Sequence, residues 1–181
     1  MVIAKSDRSH RQLAGQFHDR TVIKEYLALV WGEPAVGLLM NQPIGRDPRH
    51  RQKMSVRSVR GRTAVTTVLA VEPYGATSLV RLRIGTGRTH QIRVHLSAAG
   101  FPIVGDEVYG GVRARVSADL AATTRLTRPF LHAAHLAFAH PATGQSLTFE
   151  SPLPEDLQTV VDTLARTGGV RSSTRARQPR S

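Results

Sequence analysis

The 181-residue chain has no cysteine, which excludes disulfides, thiolate metal sites and cysteine nucleophiles and leaves His, Asp and Glu for chemistry. No apolar run approaches the length that spans a bilayer. The start, MVIAKSDRSH, has too short an apolar stretch and the wrong order of charge for a secretory signal, so a cytoplasmic location with no membrane partner is expected. Lysine is scarce as well: only Lys5, Lys24 and Lys53 occur, and every other cation is arginine. Acids are outnumbered, 13 against 25 Lys and Arg, for a net charge of +12. So one-sided a balance points to a polyanionic partner, most often nucleic acid.

What is present fits one soluble domain with a substantial core, since 40% of the residues are apolar. Residues 6–19 read as a helix that Ser6 caps, with Leu13 and Phe17 on one face. Residues 21–31 (TVIKEYLALVW) read as a mostly buried strand that Gly32, Pro34 and Gly37 end. Residues 41–62 form a basic loop with short extended pieces. Its Arg46, Arg49, Arg51, Lys53, Arg57, Arg60 and Arg62 favour contact with phosphate. Residues 63–72 and 77–84 suggest a hairpin around Pro-Tyr-Gly, with Val80, Leu82 and Ile84 on one face and Arg81 and Arg83 on the other. A helix over 89–99 stops at Gly100. A second hairpin, 131–140 with 146–150, and a last helix over 154–166 follow. The class is α+β, with a mainly antiparallel, mixed sheet and flanking helices over 1–166. A basic, disordered tail is expected at 167–181.

The stretch GRTHQIRVHL, residues 87–96, holds two arginines and two histidines. His90 and His95 are five apart, about 140° on a helix, and no acid lies between them, so a metal site is not expected. The phosphate-loop pattern G-x-x-x-x-G-K-[ST] and the G-x-S-x-G elbow are both absent. Backbone N–H groups at Gly85–Thr89 could still hold one phosphate of an RNA backbone. Arg93 could hold a carboxylate ionised in a cleft, or it could be an ordinary solvated cation.

The wider stretch GTGRTHQIRVHLSAAGFPIVGDEVYGG, residues 85–111, closely resembles the signature of the RNA pseudouridine synthases. That family's pattern is T-G-R-[TS]-H-Q-[IL]-R-V-H, a spacer, then P-[IL]-x-G-D-x-x-Y-G. QFHDRTVIKEYLALVWG, residues 16–32, is similar to its F-x-x-R-x-x-x-K-x-Y-x-A-x-V-x-G segment. LHAAHLAFAHPATGQSLTFESPLPEDL, residues 131–157, is similar to its closing hairpin and the acidic helix start beyond.

The resemblance implies breakage of the uridine N1–C1′ bond, rotation of the uracil and reattachment through C5. The target is structured rRNA or tRNA whose base is flipped out, and no metal or organic cofactor takes part. It gives Tyr26 to the uracil and Arg93 to the catalytic aspartate, and it makes Ile92 a pocket wall. Arg88 and His90 fall to RNA contact or to shaping the site, beside Arg46, Arg49, Arg51, Lys53 and Arg57. The family's nucleophilic aspartate belongs to an H-R-L-D motif that precedes a strand similar to residues 1–5, and that motif does not occur in this sequence. Asp7 and Asp19 fall on a surface helix, Asp47 in the basic loop, and Asp106 in the family's structural G-D turn. The expectation is therefore a catalytic domain without its first strands. Such a chain would be a monomer, inactive alone, with a non-catalytic RNA-binding protein as the alternative.

Overall fold

The computed structural model describes residues 2–50 and 52–167. Its elements are α1 (Asp7–His18), β1 (Ile23–Trp31), β2 (Leu39–Met40), β3 (Gly45–Arg46), β4 (Met54–Ser55), β5 (Thr66–Tyr74) and β6 (Thr77–Ile84). Then come α2 (Gln91–Ala98), a 3-10 helix (Ala118–Arg125), β7 (Leu131–Ala139), β8 (Ser146–Glu150) and α3 (Glu155–Thr167). The fold is α+β, as expected. An antiparallel six-stranded sheet runs in the order β2-β5-β6-β1-β7-β8, and β3 and β4 form a separate ribbon inside the basic loop. No helix of the described residues is long and apolar enough to cross a membrane.

Alternation along the strands sorts the side chains. Tyr26 lies opposite Leu82 and Ala28 opposite Val80, so these residues share one sheet face. Glu25 opposite Arg83 and Leu27 opposite Arg81 occupy the other. Val80, Leu82 and Ile84 join Ile92 and Leu96 of α2 and Leu157, Val160, Val161 and Leu164 of α3 in one core cluster. Each such side chain contributes about 2 kcal/mol through burial. On the opposite face the buried Glu25 carboxylate takes both exposed cations, Arg83 at 2.7 Å and Arg81 at 3.4 Å.

Several boundaries differ from the sequence expectation. Residues 2–5 pair with no strand of the described structure. Val2 and Ala4 instead pack against a small cluster of Leu13, Val22 and Phe138, and Ile3 is exposed. The first hairpin is tighter than Pro-Tyr-Gly suggested, for Pro73 and Tyr74 stay in β5 and only Gly75 and Ala76 turn. Gly75 takes the positive φ, +63°, that a two-residue hairpin loop demands. The 3-10 helix lies in a stretch with no helical apolar period. α3 reaches Thr167, and the tail expected beyond it lies outside the described residues. At Gly111 an added Cβ would collide with the Ile103 carbonyl oxygen. The Gly111 carbonyl in turn accepts the Trp31 indole N–H at 2.7 Å, which pins this loop to the end of β1.

α2 begins at Gln91, two residues later than its sequence suggests, because a polar network claims the turn before it. The Gln91 side-chain oxygen accepts the Thr86 hydroxyl at 2.6 Å and the Arg88 backbone N–H at 3.1 Å. Its amide nitrogen donates to the Val65 carbonyl and the Thr66 hydroxyl. Thr66 also bonds His95 Nδ1 at 2.9 Å, and His95 Nε2 donates to the Gln42 carbonyl at 2.9 Å. Buried amide and imidazole thus have their partners, as a buried polar group requires.

Burial depresses the His95 pKa, against a smaller upward pull from the Gln42 carbonyl. The folded ring therefore stays neutral at pH values where the unfolded ring, near its ordinary value of about 6.5, takes up a proton. His95 thus contributes stability fully above that value, and the contribution is lost as pH falls below it. The thermal midpoint should drop between about pH 7.5 and 5.5, with a visibly shallower slope in His95→Gln. Equal slopes would show that His95 does not carry the effect.

Candidate functional site

Three adjacent strands meet at one end of the sheet. β1 enters there, β6 leaves there and β5 begins there, with Glu25 opposite Arg83 and Thr66 opposite Ile84. Tyr26 stands on β1 just inside this end. It is half-buried and packs against the main core. Burial raises its pKa above the ordinary phenol value, so it stays protonated at neutral pH.

Tyr26 lines a cavity of about 570 Å³ together with Val2, Phe17, Lys24, Phe138 and Phe149, among others. The floor is largely apolar, and Phe138 and Phe149 stack at 5.7 Å. Lys24 stands over the Phe17 ring, 5.5 Å from its centroid. Glu150 is the one acid on the lining, and no aspartate is part of it. A flat aromatic ring suits such a space, since Tyr26 can lie against its face.

Arg93 pairs with an acid of this chain, while the aspartate that the resemblance gave it does not occur in this sequence. Its Nε and Nη2 donate to the two carboxylate oxygens of Asp106 at 2.7 and 2.8 Å. Asp106 is fully buried, at 0% exposure, and also accepts the backbone N–H groups of Val108 and Tyr109 at 3.1 Å. The bidentate hydrogen bonding of Arg93 to the Asp106 carboxylate outweighs burial and raises the Arg93 pKa. Ile92 is only 5% exposed and belongs to the main core against which Tyr26 packs; it is not among the residues that line the cavity. Residues on consecutive positions of α2 cannot share a direction: Ile92 turns to the sheet and Arg93 to the loop.

The ion pair organises the next layer. Asp106 fixes the turn that presents Tyr109, whose ring lies 4.9 Å below the Arg93 guanidinium carbon. The Tyr109 hydroxyl accepts the Met54 backbone N–H at 3.0 Å and bonds His90 Nδ1 at 2.9 Å. The basic loop is thereby tied to α2 through one phenol. His90 caps α2 in the left-handed conformation, φ +55°, and its pKa is lowered by burial and by the Arg93 charge. Among the described residues no group of His, Asp and Glu is arranged to hold a metal ion.

Four of the remaining expected RNA contacts, Arg46, Lys53, Arg57 and Arg88, line two grooves that share Met54. Arg88 lines a groove with Arg46, Arg60 and Arg62, and its Nε donates to the Thr63 carbonyl at 3.1 Å. Lys53 and Arg57 line a neighbouring groove with Tyr109. Arg49 and His50 donate their backbone N–H groups to Asp47, which holds that carboxyl below its usual range and shapes the loop tip. Arg51 lies outside the described residues. Sequence reasoning missed Gln91, His95 and Tyr109 as the residues that position this surface. The available signal for Tyr109 was its place in the G-D-x-x-Y-G pattern.

The sequence model of the family described as RNA pseudouridylate synthase matches residues 1–98. The chain belongs to that family. An uncharacterized RNA pseudouridine synthase of Chloroflexus aurantiacus is 45% identical to this synthase-family chain over 161 residues, 89% of this chain and 48% of that one. A ribosomal large subunit pseudouridine synthase D of Zymomonas mobilis is 40% identical over 87% of this chain and 50% of its own length. The chain thus spans about half the length of these curated relatives. In fold it is similar to the human protein RNA pseudouridylate synthase domain containing 4, with a TM-score of 0.72 and 26% identity over 91% of this chain and 70% of that one.

Replacing Arg93 with Ala would strand the buried Asp106 carboxylate. Urea unfolding of Arg93→Ala should show a loss of about 3–5 kcal/mol. A loss below about 1 kcal/mol would mean that Asp106 does not depend on Arg93.

Proposed function

We propose that this chain serves the isomerisation of uridine to pseudouridine in structured RNA, by binding the RNA and receiving the flipped base in the cavity beside Tyr26. The carrying observation is the half-buried Tyr26 on an apolar cavity wall, at the edge of a cationic surface, in a member of this family. Unstacking a base costs a few kcal/mol, which contact with an aromatic ring and with phosphates can offset. Several relatives bear the name of ribosomal large subunit enzymes, which favours ribosomal over transfer RNA as the substrate.

Cleavage of the glycosidic bond needs a carboxylate at C1′. Asp106 is a poor source, being sealed from solvent and already accepting from Arg93 and two backbone N–H groups. The one acid on the cavity lining, Glu150, is exposed and lies 3.7 Å from His135. The 181 residues by themselves therefore bind RNA without rearranging it, and the reaction takes a carboxylate from outside them. The role of Tyr26 is to hold the uracil and to stand near its C5 proton.

The test uses a large-subunit rRNA transcript carrying uridine tritiated at C5, since forming the new bond releases that tritium. The 181-residue chain should bind the transcript with an affinity that falls steeply with salt, and release no tritium above the blank. Tritium release by this chain alone would overturn the account of the missing carboxylate. Absence of RNA binding would overturn the functional reading.

A further inference from the structure

The end of the sheet that holds Tyr26 also gathers four cations that come from separate parts of the sequence. Arg20 and Lys24 lie where β1 begins, Arg62 leads into β5, and Arg88 follows β6. The antiparallel register places these three strand ends side by side. None of the four forms an ion pair among the described residues. The contrast with Glu25 is informative, because on the other face of the same strands the fold supplies a buried carboxylate for Arg81 and Arg83.

The four are placed with some care. Arg88 is fixed at both ends, by its Nε on the Thr63 carbonyl and by its backbone N–H on Gln91. Lys24 shares the cavity wall with Tyr26. Arg20 follows the last turn of α1 with φ +61°, a left-handed position where glycine is the usual occupant and other residues carry a cost of about 1 kcal/mol. Burial, and then the charges of Arg62 and Arg20, lower the Arg88 pKa. Burial and Arg20 do the same to Lys24. Like charges held this close raise the free energy of the empty site, and an anion would relieve it.

We propose that Arg20, Lys24, Arg62 and Arg88 form one subsite for RNA backbone phosphate, holding the phosphates that flank the uridine received beside Tyr26. The proposal rests on the functional reading above and adds to it the grip on the nucleotide itself. Phosphate held at the mouth of the cavity fixes the sugar while the base turns. The basic loop, farther along the same side, then contacts more distant parts of the RNA.

The test compares an RNA hairpin with a single loop uridine to the same hairpin carrying uncharged methylphosphonate linkages on both sides of that uridine. The 181-residue chain should bind the neutral-linkage hairpin roughly tenfold more weakly, with a salt slope shallower by about one to two. Arg20→Gln/Arg62→Gln, both at exposed positions, should lose most of that discrimination. Arg125→Gln, in the 3-10 helix, should keep it. Discrimination that persists in the double variant, or is absent from the unmodified chain, would overturn the proposal. If the chain binds neither hairpin, the functional reading fails, and the subsite is then judged with inorganic phosphate. Shifts of the backbone amides of residues 20, 24, 62 and 88 on phosphate titration would support it, and their absence would reject it.

Discussion

The bidentate ion pair between Arg93 and Asp106 is the contact on which the arrangement around α2 depends. It is buried on the acid side, and both carboxylate oxygens are engaged by the guanidinium. The same carboxylate ties down the backbone of Val108 and Tyr109, so the turn and the helix are fixed by one group. Tyr109 carries the constraint outward to His90 and to the Met54 backbone. An isolated buried carboxylate would be strongly unfavourable. Only because Arg93 meets it can the turn stay closed and the basic loop keep its anchor.

A second constraint is electrostatic and works in the opposite sense. Where the fold needs two cations side by side on β6, it buries Glu25 between them. Among the described residues neither Lys24 nor Arg88 has an ion-pair partner, and the strand ends converge there beside Tyr26. The polar network of Thr66, Thr86, Gln91 and His95 keeps the loop between β6 and α2 rigid enough to hold Arg88 in place. Core packing, the network and the uncompensated charge thus converge on one end of the sheet.

Much of this was legible in the sequence. The alternation of Val80, Leu82 and Ile84 with Arg81 and Arg83 gave both faces of β6 correctly, and the family resemblance carried by residues 16–32, 85–111 and 131–157 agrees with the family found. The partner of Arg93 was not legible from spacing, because Asp106 lies on a turn beyond α2 and only the fold brings the two together. Nothing in the spacing of residues 87–96 marked Gln91 or His95 as buried. Their burial follows from hydroxyl and carbonyl partners on β5 and on the loop after β2, which no local pattern announces. The resemblance made residues 1–5 a strand, but strand pairing needs a neighbour, and Val2 and Ala4 found α1 and β7 instead.

The central claim is that RNA lies across the sheet end that carries Tyr26 and Lys24 and along the grooves beside Arg88 and Met54. Ultraviolet crosslinking of the chain to a uridine-containing RNA hairpin, with the joined peptides read by mass spectrometry, tests it most directly. Crosslinks should concentrate on Phe17, Lys24, Tyr26 and the peptides of residues 44–62 and 86–93. Crosslinks concentrated on the 3-10 helix and α3 would contradict it.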